Sequence, residues 1–365
     1  MKLGVNGRFL TAPAGGVRRF AEEIARGVLA ESGGILFGPA GPPADQSFAL
    51  PSGTAFRGGR LRGHAWEQIE LPAAARRAGC DVLLHLANTA PLRGGPHVAT
   101  VHDVTPLTDP AWFRPSYVAW HRRVVRPALR RAAALLTVSG WSAGEMARVL
   151  DVDPERIRVV PQGPTPLDEP AADATVRAVR RRFGLPDAYL LAVGARDPRK
   201  NLAFLAKVRA RLADEPGAVP LVVVGPTSRG RVWAAPPDPP SGEGIRHVGE
   251  VDDETLRALY TGASVLLHPA LAEGFGRPPL EAMACGAPVV AAPYGPAREV
   301  LGDAAEVIPL VADAWAAAVT GILAESRDCR ERRRERGRAR AGRWRWEEGV
   351  ERVLEVCRAV AGGRP

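Results

Sequence analysis

The chain has 365 residues, more than one ordinary hydrophobic core accommodates, so its length predicts two domains. Hydrophobic residues make up 46% of the sequence and charged residues 24%, a composition that excludes a disordered or fibrous protein. The formal net charge is +9, but lysine occurs only at Lys2, Lys200 and Lys207. This arginine bias, with abundant Ala, Gly and Pro, is more typical of genome composition than of nucleic-acid binding. It predicts a modest preference for anionic partners such as nucleotides, phosphates or an acidic membrane surface.

Cysteine usage and the N-terminus predict a cytoplasmic location. Cys80, Cys285, Cys329 and Cys357 are scattered and form no CxxC pair, which argues against a zinc site or a disulfide framework. Residues 1–9 lack the apolar segment of a signal peptide, and no run reaches the roughly 18 apolar residues that span a bilayer. The alternative to a freely soluble chain is peripheral contact with the inner face of an anionic membrane.

In chain order, short apolar runs alternate with helical patterns. Predicted strands lie at residues 2–5, 81–86, 98–104, 134–139 and 157–163 in the first half, and at 189–194, 220–225, 264–269 and 287–292 in the second. Helical periodicity is clearest at 17–30 and 116–133. Such alternation, with strands rich in Val and Leu, predicts parallel sheets covered on both faces, hence an α/β protein with two doubly wound domains.

Pro-rich segments divide these elements. Residues 164–170 are the best candidate for the domain boundary. Residues 38–56 and 226–244 are predicted surface loops, a kind of segment that often carries substrate specificity. The charged tail from residue 327 is either an RNA- or membrane-binding arm or a solvated helix face. Acids are interspersed among its arginines, which favours the solvated face.

Two candidate ligand positions occur in the first half. Gly15 and Gly16 stand at the first strand–helix connection, where a glycine turn either binds phosphate or simply turns the chain. His102 and Asp103 end a predicted strand, where the histidine either packs in the core or contacts a ligand. Asp103 would orient the ring or cap the next turn. Asp151 and Asp153 superficially match a metal-binding DxD pattern, but they lie in a predicted turn, so no metal is predicted.

The strongest candidate site is the stretch AEGFGRPPLEAMACG, residues 272–286. It follows a predicted strand, makes a turn through Gly274, Phe275 and Gly276, and enters a helix opened by two prolines. Ligands of open α/β sheets bind at this carboxyl edge, and the glycines allow a diphosphate close to the backbone.

Two acids flank this turn. Glu281, about three residues into the predicted helix, either stabilises the helix dipole or accepts hydrogen bonds from ribose hydroxyls. Glu273 is either a polar loop residue or a ligand of sugar hydroxyls.

The pattern EGFG-x-P-x-LEAMACG closely resembles the E-x7-E signature of family-4 retaining glycosyltransferases of the GT-B fold. The resemblance extends over nearly the whole chain, because further motifs occur in the family's order: GVNGRFLTAPAGGVRRF, HAWEQIELP, ANTAPL, VATVHDVTPL, LLTVSGWSAGEM, LLAVGARDPRKNL and HVGEVDDETLRALYTGAS. It implies two Rossmann-like domains facing each other across a cleft. The acceptor-side domain would comprise residues 1–167 plus 345–365, and the donor-binding domain residues 168–344.

The resemblance also implies residue roles. Arg196 and Lys200 would neutralise the donor diphosphate, His102 and Glu273 would contact the donor sugar, and Glu281 would bind the ribose. Gly15, Gly16, Gly274, Phe275 and Gly276 would line the donor. The implied activity is metal-independent, retaining transfer of a hexose from a nucleotide-diphosphate sugar, without a further cofactor. The acceptor would be a hydroxyl of a glycan, lipid-linked saccharide or small molecule. GDP-mannose is favoured as donor because WEQIELP, ANTAPL and PRKN look most like mannosyltransferase-type members. A UDP-sugar is the alternative.

The sequence leaves three other functions open: a non-catalytic nucleotide-sugar or glycan binder on the same fold, an arginine-rich nucleic-acid binder, and a sugar-nucleotide epimerase. The chain also departs from the family at Gln162, where relatives often have Asn, and at His268, where they often have an aromatic residue.

Overall fold

A computed structural model describes residues 1–13, 15–40, 48–164, 166–213, 219–226, 232–235 and 238–363. The chain forms two compact units, of which unit 1 comprises Met1–Pro110, Pro115–Gln162 and Arg345–Pro365, and unit 2 comprises Ala111–Arg114 and Gly163–Trp344. The boundary after Gln162 lies five residues before the predicted one after residue 167. The excursion at 111–114 was not predicted. It belongs to unit 2 because Phe113 makes a backbone bridge to Trp233, with ring centroids 4.8 Å apart.

Unit 1 contains a seven-stranded parallel sheet in the order β3-β2-β1-β4-β5-β6-β7. Its strands are β1 Leu3–Asn6, β2 Ile35–Gly38, β3 Ala55–Gly58, β4 Val82–His85, β5 His97–Thr100, β6 Ala134–Thr137 and β7 Ile157–Val159. All but β3 and β7 are buried throughout, as expected for strands covered on both faces.

Helices of unit 1 connect these strands. They are α1 Gly16–Ser32, α2 Gly63–Ala65, α3 Leu71–Arg77, α4 Thr105–Thr108, α5 Pro115–Trp120, α6 Arg126–Arg131 and α7 Gly140–Leu150. Two π-helical turns, Trp66–Glu70 and His121–Val125, join α2 to α3 and α5 to α6. Short 3-10 turns occur at Gly7–Thr11, Pro110–Trp112 and Pro154–Arg156. Asp151 ends α7 and Asp153 caps the following 3-10 turn, so both acids of the DxD pattern have local structural roles.

Unit 2 contains a six-stranded parallel sheet in the order β10-β9-β8-β11-β12-β13. Its strands are β8 Leu190–Val193, β9 Leu221–Val224, β10 Ile245–Gly249, β11 Val265–His268, β12 Val289–Ala291 and β13 Glu306–Val307. Its helices are α8 Asp173–Phe183, α9 Phe204–Arg211, α10 Asp253–Gly262, α11 Arg277–Ala284, α12 Ala297–Leu301, α13 Ala312–Leu323 and α14 Arg327–Ala341, with a 3-10 turn at Pro198–Lys200.

The C-terminal helix α15, Trp346–Ala361, packs in unit 1 against α1. Small residues permit the close approach: a Cβ on Gly27 of α1 would lie 2.3 Å from Val350 Cγ2, and one on Gly349 would lie 2.3 Å from Pro161 O. The preceding helix α14 is rich in arginine, but Arg333 pairs with Glu325 and Glu306 in unit 2. Acids that precede the tail therefore neutralise part of its positive charge.

All nine predicted strands are present, but four strands were missed. β2 is only four residues long, β3 is exposed throughout and overlaps the predicted loop 38–56, β10 is largely polar, and β13 has two residues. Such strands carry little hydrophobic signal. Residues 41–47, 227–231 and 236–237 of the two predicted loops lie outside the described residues. Within the described part of the chain, no helix is long and apolar enough to cross a membrane.

Candidate functional site

Lys200 and Glu273 meet at the carboxyl edge of the unit 2 sheet. Strands β8 and β11 are neighbours, so the loops that follow them lie side by side. Two hydrogen bonds join these loops, from Leu271 N to Arg199 O at 2.7 Å and from Asn201 Nδ2 to Pro269 O at 3.3 Å. They hold Lys200 Nζ 2.5 Å from Glu273 Oε1. Two of the predicted site residues, 73 positions apart in sequence, thus form one ion pair.

His268, the last residue of β11, completes this group. Its Nε2 lies 3.3 Å from Glu273 Oε1, and its side chain is buried. Burial would raise the pKa of Glu273, but the charge of Lys200 and the adjacent His268 outweigh it and hold the pKa well below its usual range. Burial also lowers the pKa of His268. The group therefore contains an ionised carboxylate beside an ammonium, with a neutral imidazole behind it.

Arg196 lies on the same edge, in the loop after β8. Its Nη2 is 2.9 Å from Asp238 Oδ1, and only 15% of its side chain is exposed. It lines a cavity of about 20 Å³ between the carboxyl ends of β8, β9 and β10, together with Gly194, Gly225, Pro226, Asp238, Pro240 and His247. The edge thus carries two cationic side chains, Arg196 and Lys200, beside a cavity.

The glycine turn before α11 is tightly packed rather than open. Gly274, Phe275 and Gly276 are all buried. The Phe275 ring stands edge-on to Trp344 with centroids 4.9 Å apart, so its side chain belongs to the core of unit 2. Gly276 has φ +93°, and a Cβ there would lie 2.2 Å from the hydroxyl oxygen of Tyr294. The backbone of this turn leads directly into the N-terminus of α11 at Arg277.

Glu281 lies in the second turn of α11, where it is buried. The expectation that a first-turn acid stabilises the helix dipole is therefore wrong, because no acid occupies the first turn. Instead the Tyr260 hydroxyl donates to Glu281 Oε2 at 3.1 Å, and Arg277 Nη2 lies 3.0 Å from Oε1. These contacts fix the carboxylate. Its role toward a ribose stays a prediction.

We expect Tyr260→Phe to lower the free energy of unfolding by about 2 kcal/mol, because the removed hydroxyl donates to a buried carboxylate. Tyr189→Phe is the matched control: this buried hydroxyl donates to the neutral carbonyl of Leu259 at 2.7 Å, and its loss should cost about 1 kcal/mol. Equilibrium urea unfolding measures both. A cost for Tyr260→Phe no larger than that for Tyr189→Phe would contradict the hydrogen bond from Tyr260 to the Glu281 carboxylate.

The remaining predicted residues lie in unit 1. His102 follows β5 and is buried, with Nε2 3.1 Å from Leu86 O and its ring edge-on to Phe20. Because a carbonyl only accepts, Nε2 carries the proton. Asp103 accepts from Thr105 N and so caps the following turn. Gly15 and Gly16 are exposed at the N-terminus of α1, and a Cβ on Gly15 would meet no atom of the described residues within 4 Å.

Sequence reasoning missed a buried polar network in unit 1. Asn6 Nδ2, at the end of β1, donates to Glu67 Oε1 at 2.8 Å and to His85 Nδ1 at 2.9 Å. Since an amide nitrogen only donates, His85 Nε2 carries the ring proton and donates to His97 Nδ1 at 3.2 Å. Glu67 belongs to the motif HAWEQIELP, which contributes to the family resemblance but did not by itself indicate a role for this residue. Asn6 lies 61 residues from Glu67 and 79 from His85 in sequence, so no local signal identifies the network.

This network makes stability depend on pH. Burial lowers the pKa of His85 to about 3 and that of His97 to about 4, whereas unfolded histidine titrates near 6.5. Below about pH 6.5 the unfolded chain therefore binds protons that the native chain does not, so stability falls as pH falls. Glu67, whose pKa is held at about 2, acts in the same direction below about pH 4.5.

We expect the free energy of unfolding to fall by about 2 kcal/mol for each of these histidines between about pH 7 and about pH 5. Urea titrations at the two pH values measure this change. The variant His97→Gln should lose about 2 kcal/mol of the pH dependence, to which His121 and His268 also contribute through their lowered pKa values. Equal or greater stability at the lower pH would contradict the neutral histidine pair.

Comparisons with known proteins cover both units. Residues 14–164 match the family model described as Glycosyltransferase Family 4, and residues 178–340 match the one described as Glycosyl transferases group 1. The O-antigen chain mannosyltransferase B of Escherichia coli is 32% identical over 59% of this chain and 57% of its own length. The MMP alpha-(1->4)-mannosyltransferase of Mycolicibacterium hassiacum is 32% identical over 66% of this chain and 59% of its own length. The chain thus aligns with little more than half the length of these relatives.

Solved structures show the same fold. Sucrose-phosphate synthase of Thermosynechococcus elongatus superposes with a TM-score of 0.75 at 19% identity, covering 99% of both chains. HepE of Anabaena, solved in complex with UDP and glucose, gives 0.71 at 17% identity, covering 97% of this chain and 98% of its own. With its two parallel-sheet α/β units, the chain therefore has the GT-B fold.

Proposed function

The chain belongs to the group 1 glycosyltransferases of family 4, and from this premise we propose that it transfers a hexose from a nucleotide-diphosphate sugar to an acceptor hydroxyl, with retention of anomeric configuration. The observation that carries the proposal is the contact between Lys200 and Glu273 at the carboxyl edge of the unit 2 sheet. This edge is where ligands of open parallel sheets bind.

The donor diphosphate is assigned to the positive groups of this edge. The side chains of Lys200 and Arg196 and the N-terminus of α11 supply positive charge where the leaving group develops negative charge. We propose that the nucleoside extends from the diphosphate along the loops that follow β8 and β9, beside Arg196. Glu273 receives the hydroxyls of the donor sugar and Glu281 those of the ribose. His102, Gly15 and Gly16 of unit 1 keep the donor contacts that the family resemblance implies.

In the proposed reaction the bond between the anomeric carbon and the diphosphate oxygen breaks. The acceptor oxygen forms its bond on the same face of the sugar, and its proton passes to the departing diphosphate oxygen. Lys200 and Arg196 stabilise the negative charge of the leaving diphosphate. Because these side chains and the helix terminus supply the positive charge, we propose that neither a metal nor an organic cofactor takes part.

GDP-mannose is the proposed donor. Two relatives named as mannosyltransferases and the motifs WEQIELP, ANTAPL and PRKN support mannose. HepE, solved with UDP and glucose, supports a UDP-sugar as the alternative. The proposed acceptor is a glycan, a lipid-linked saccharide or a small molecule. Exposed Arg122 and Arg123 provide a basic surface for the proposed peripheral contact with an anionic membrane.

A thermal-shift panel of GDP, UDP and ADP, each alone and as its sugar conjugate, tests the proposal. We expect saturable stabilisation by GDP and GDP-mannose, of about 3 kcal/mol at a hundredfold excess over the dissociation constant. Stabilisation by UDP-glucose alone would identify a UDP-sugar, rather than GDP-mannose, as the donor and would leave the proposed hexose transfer unchanged. If none of the nucleotides stabilises the chain at millimolar concentration, the donor site is refuted.

A further inference from the structure

The two π-helical turns of unit 1 converge on one cluster of side chains. The turn Trp66–Glu70 contains Glu67, and His121–Val125 directly follows Trp120. His64, just before the first turn, packs against Trp120 with ring centroids 4.5 Å apart and the rings tilted by 47°. His121 packs against Tyr117 at the same distance and a similar tilt. π-helical turns are rare and are found disproportionately at functional sites, so two at one cluster point to a ligand.

Glu67 is the buried residue that the other polar side chains of the cluster contact. It has no exposed surface, and its Oε1 lies 3.2 Å from Arg8 Nε and accepts from Thr89 Oγ1 at 2.7 Å. Thr89 Oγ1 in turn accepts from Arg8 Nη2 at 2.7 Å. The other oxygen, Oε2, lies 3.5 Å from His64 Nδ1. One buried carboxylate thus orients two side chains that remain accessible: 21% of Arg8 and 42% of His64 are exposed.

Several polar atoms of the cluster are only partly satisfied. Glu67 Oε2, Arg8 Nε, His64 Nδ1 and Trp120 Nε1 are buried and have no hydrogen-bond partner of good geometry within the described residues. Three of these atoms take part in the contacts of Glu67, because Arg8 Nε lies 3.2 Å from Oε1 and His64 Nδ1 lies 3.5 Å from Oε2. Trp120 Nε1 is a buried donor that these contacts do not satisfy. A hydroxyl or a water that accepts from it would satisfy this donor.

The charge of the cluster selects the ligand. Arg8 and Glu67 neutralise each other, and burial lowers the pKa of His121 to about 4, so that ring is uncharged at neutral pH. Asp103 also acts electrostatically on the same ring. A phosphate in this cluster would face the carboxylates of Glu67 and Asp103, with Arg8 as the cation beside them. Hydroxyl groups donate and accept, and the partly exposed rings of Trp120 and Tyr117 offer an apolar face for a pyranose.

We propose that Arg8, His64 and Trp120 form a subsite for an uncharged sugar ring of the acceptor, with Glu67 as the residue that positions Arg8 and His64. The inference rests on the proposed function, because it assigns to unit 1 a substrate class for the transfer reaction. It narrows the acceptor to a molecule whose hydroxyl-bearing pyranose, rather than an anionic group, enters this cluster.

Saturation-transfer NMR tests the subsite with methyl α-D-mannopyranoside and mannose 6-phosphate as probes, each at about 50 mM to reach weak affinities. We expect the neutral glycoside to bind the wild-type chain. Arg8→Gln and Trp120→Ala should each weaken this binding about tenfold, and Trp120→Phe, which keeps an aromatic ring but loses Nε1, about fivefold. Arg57→Gln, which removes an exposed arginine of unit 1, should have no effect.

Glu67→Gln tests whether Glu67 positions Arg8 and His64 for the sugar or only supports the fold of unit 1. It should weaken glycoside binding about tenfold while leaving the affinity for GDP unchanged. Because Glu67 is buried against Arg8, the variant should be less stable, so far-UV circular dichroism at the assay temperature checks that it remains folded. Glu67→Asp, which restores the charge, should recover part of the glycoside affinity.

Three results would overturn the subsite: no binding of the neutral glycoside by the wild type, equal binding by all cluster variants, or preferential binding of mannose 6-phosphate that depends on Arg8. A GDP titration of the same samples keeps the two proposals distinguishable. A chain that binds the glycoside through Arg8 but binds no nucleotide retains the subsite and refutes the glycosyltransferase reaction.

Discussion

Replacing Lys200 with methionine should lower the rate of hexose transfer about 10²- to 10³-fold, the usual effect of removing one positioned charge from an active site. Methionine keeps most of the length and packing of lysine but carries no charge. The loss is expected because Lys200 provides an ammonium group at the sheet edge assigned to the donor diphosphate. The measurement is kcat/KM for release of the nucleoside diphosphate.

The same substitution has a second consequence. Without Lys200, the largely buried carboxylate of Glu273 loses the cation that lowers its pKa, so that pKa should rise. Lys207→Met is the matched control, because Lys207 is exposed on α9 in the same unit and should tolerate the change with unaltered activity. If Lys200→Met retained wild-type kcat/KM, Lys200 would have only a structural role.

Gly276→Ala should cost about 3 kcal/mol or more of unfolding free energy, the largest stability effect that we predict. The residue adopts φ +93°, which strains any other amino acid, and the new Cβ would lie 2.2 Å from the Tyr294 hydroxyl oxygen. Tyr294 is 2% exposed, so its ring cannot move aside into solvent. Urea unfolding measures the cost. A loss of nucleotide affinity should accompany it, because Gly276 immediately precedes α11.

Gly321→Ala is the control, because it should raise the free energy of unfolding instead of lowering it. Gly321 lies within α13 in the same unit, and an added Cβ there meets no described atom within 4 Å, so alanine should stabilise the helix by about 0.5–1 kcal/mol. Adding Tyr294→Phe to Gly276→Ala should restore only part of the lost stability, since ring carbons of Tyr294 lie 2.6 and 2.8 Å from the position that the alanine methyl group would take. Destabilisation by Gly276→Ala no greater than about 1 kcal/mol would contradict the packing of this turn.

The sequence predicted the fold where the hydrophobic pattern was strong. Valine- and leucine-rich runs such as 189–194 and 264–269 correspond to buried strands β8 and β11. The order of those strands in the sheet then explains why Lys200 lies against Glu273. Neither the exposed strand β3 nor the two-residue strand β13 could be predicted in this way, because their residues bury too little apolar surface to give a periodic signal.

Details of the site depended on tertiary contacts that no local pattern encodes. Glu281 was placed in the first helical turn, but α11 begins at Arg277 and puts it in the second, against Tyr260. Phe275 was expected to line the donor, yet its ring packs on Trp344, far along the chain. Glu67 could be recognised as a candidate site residue only from its contacts with Asn6, Arg8 and Thr89, which lie at the ends of two different strands.

The central claim is that this chain transfers hexose from a nucleotide-diphosphate sugar with retention. Proton NMR of the anomeric signal during turnover of GDP-α-mannose, with methyl α-D-mannopyranoside as acceptor and water as the competing one, tests it most directly. The account predicts that the first product formed, whether disaccharide or free mannose, has the α configuration and that Lys200→Met suppresses its formation. An initial β product, or no turnover of GDP-mannose or of any UDP-sugar, would contradict it.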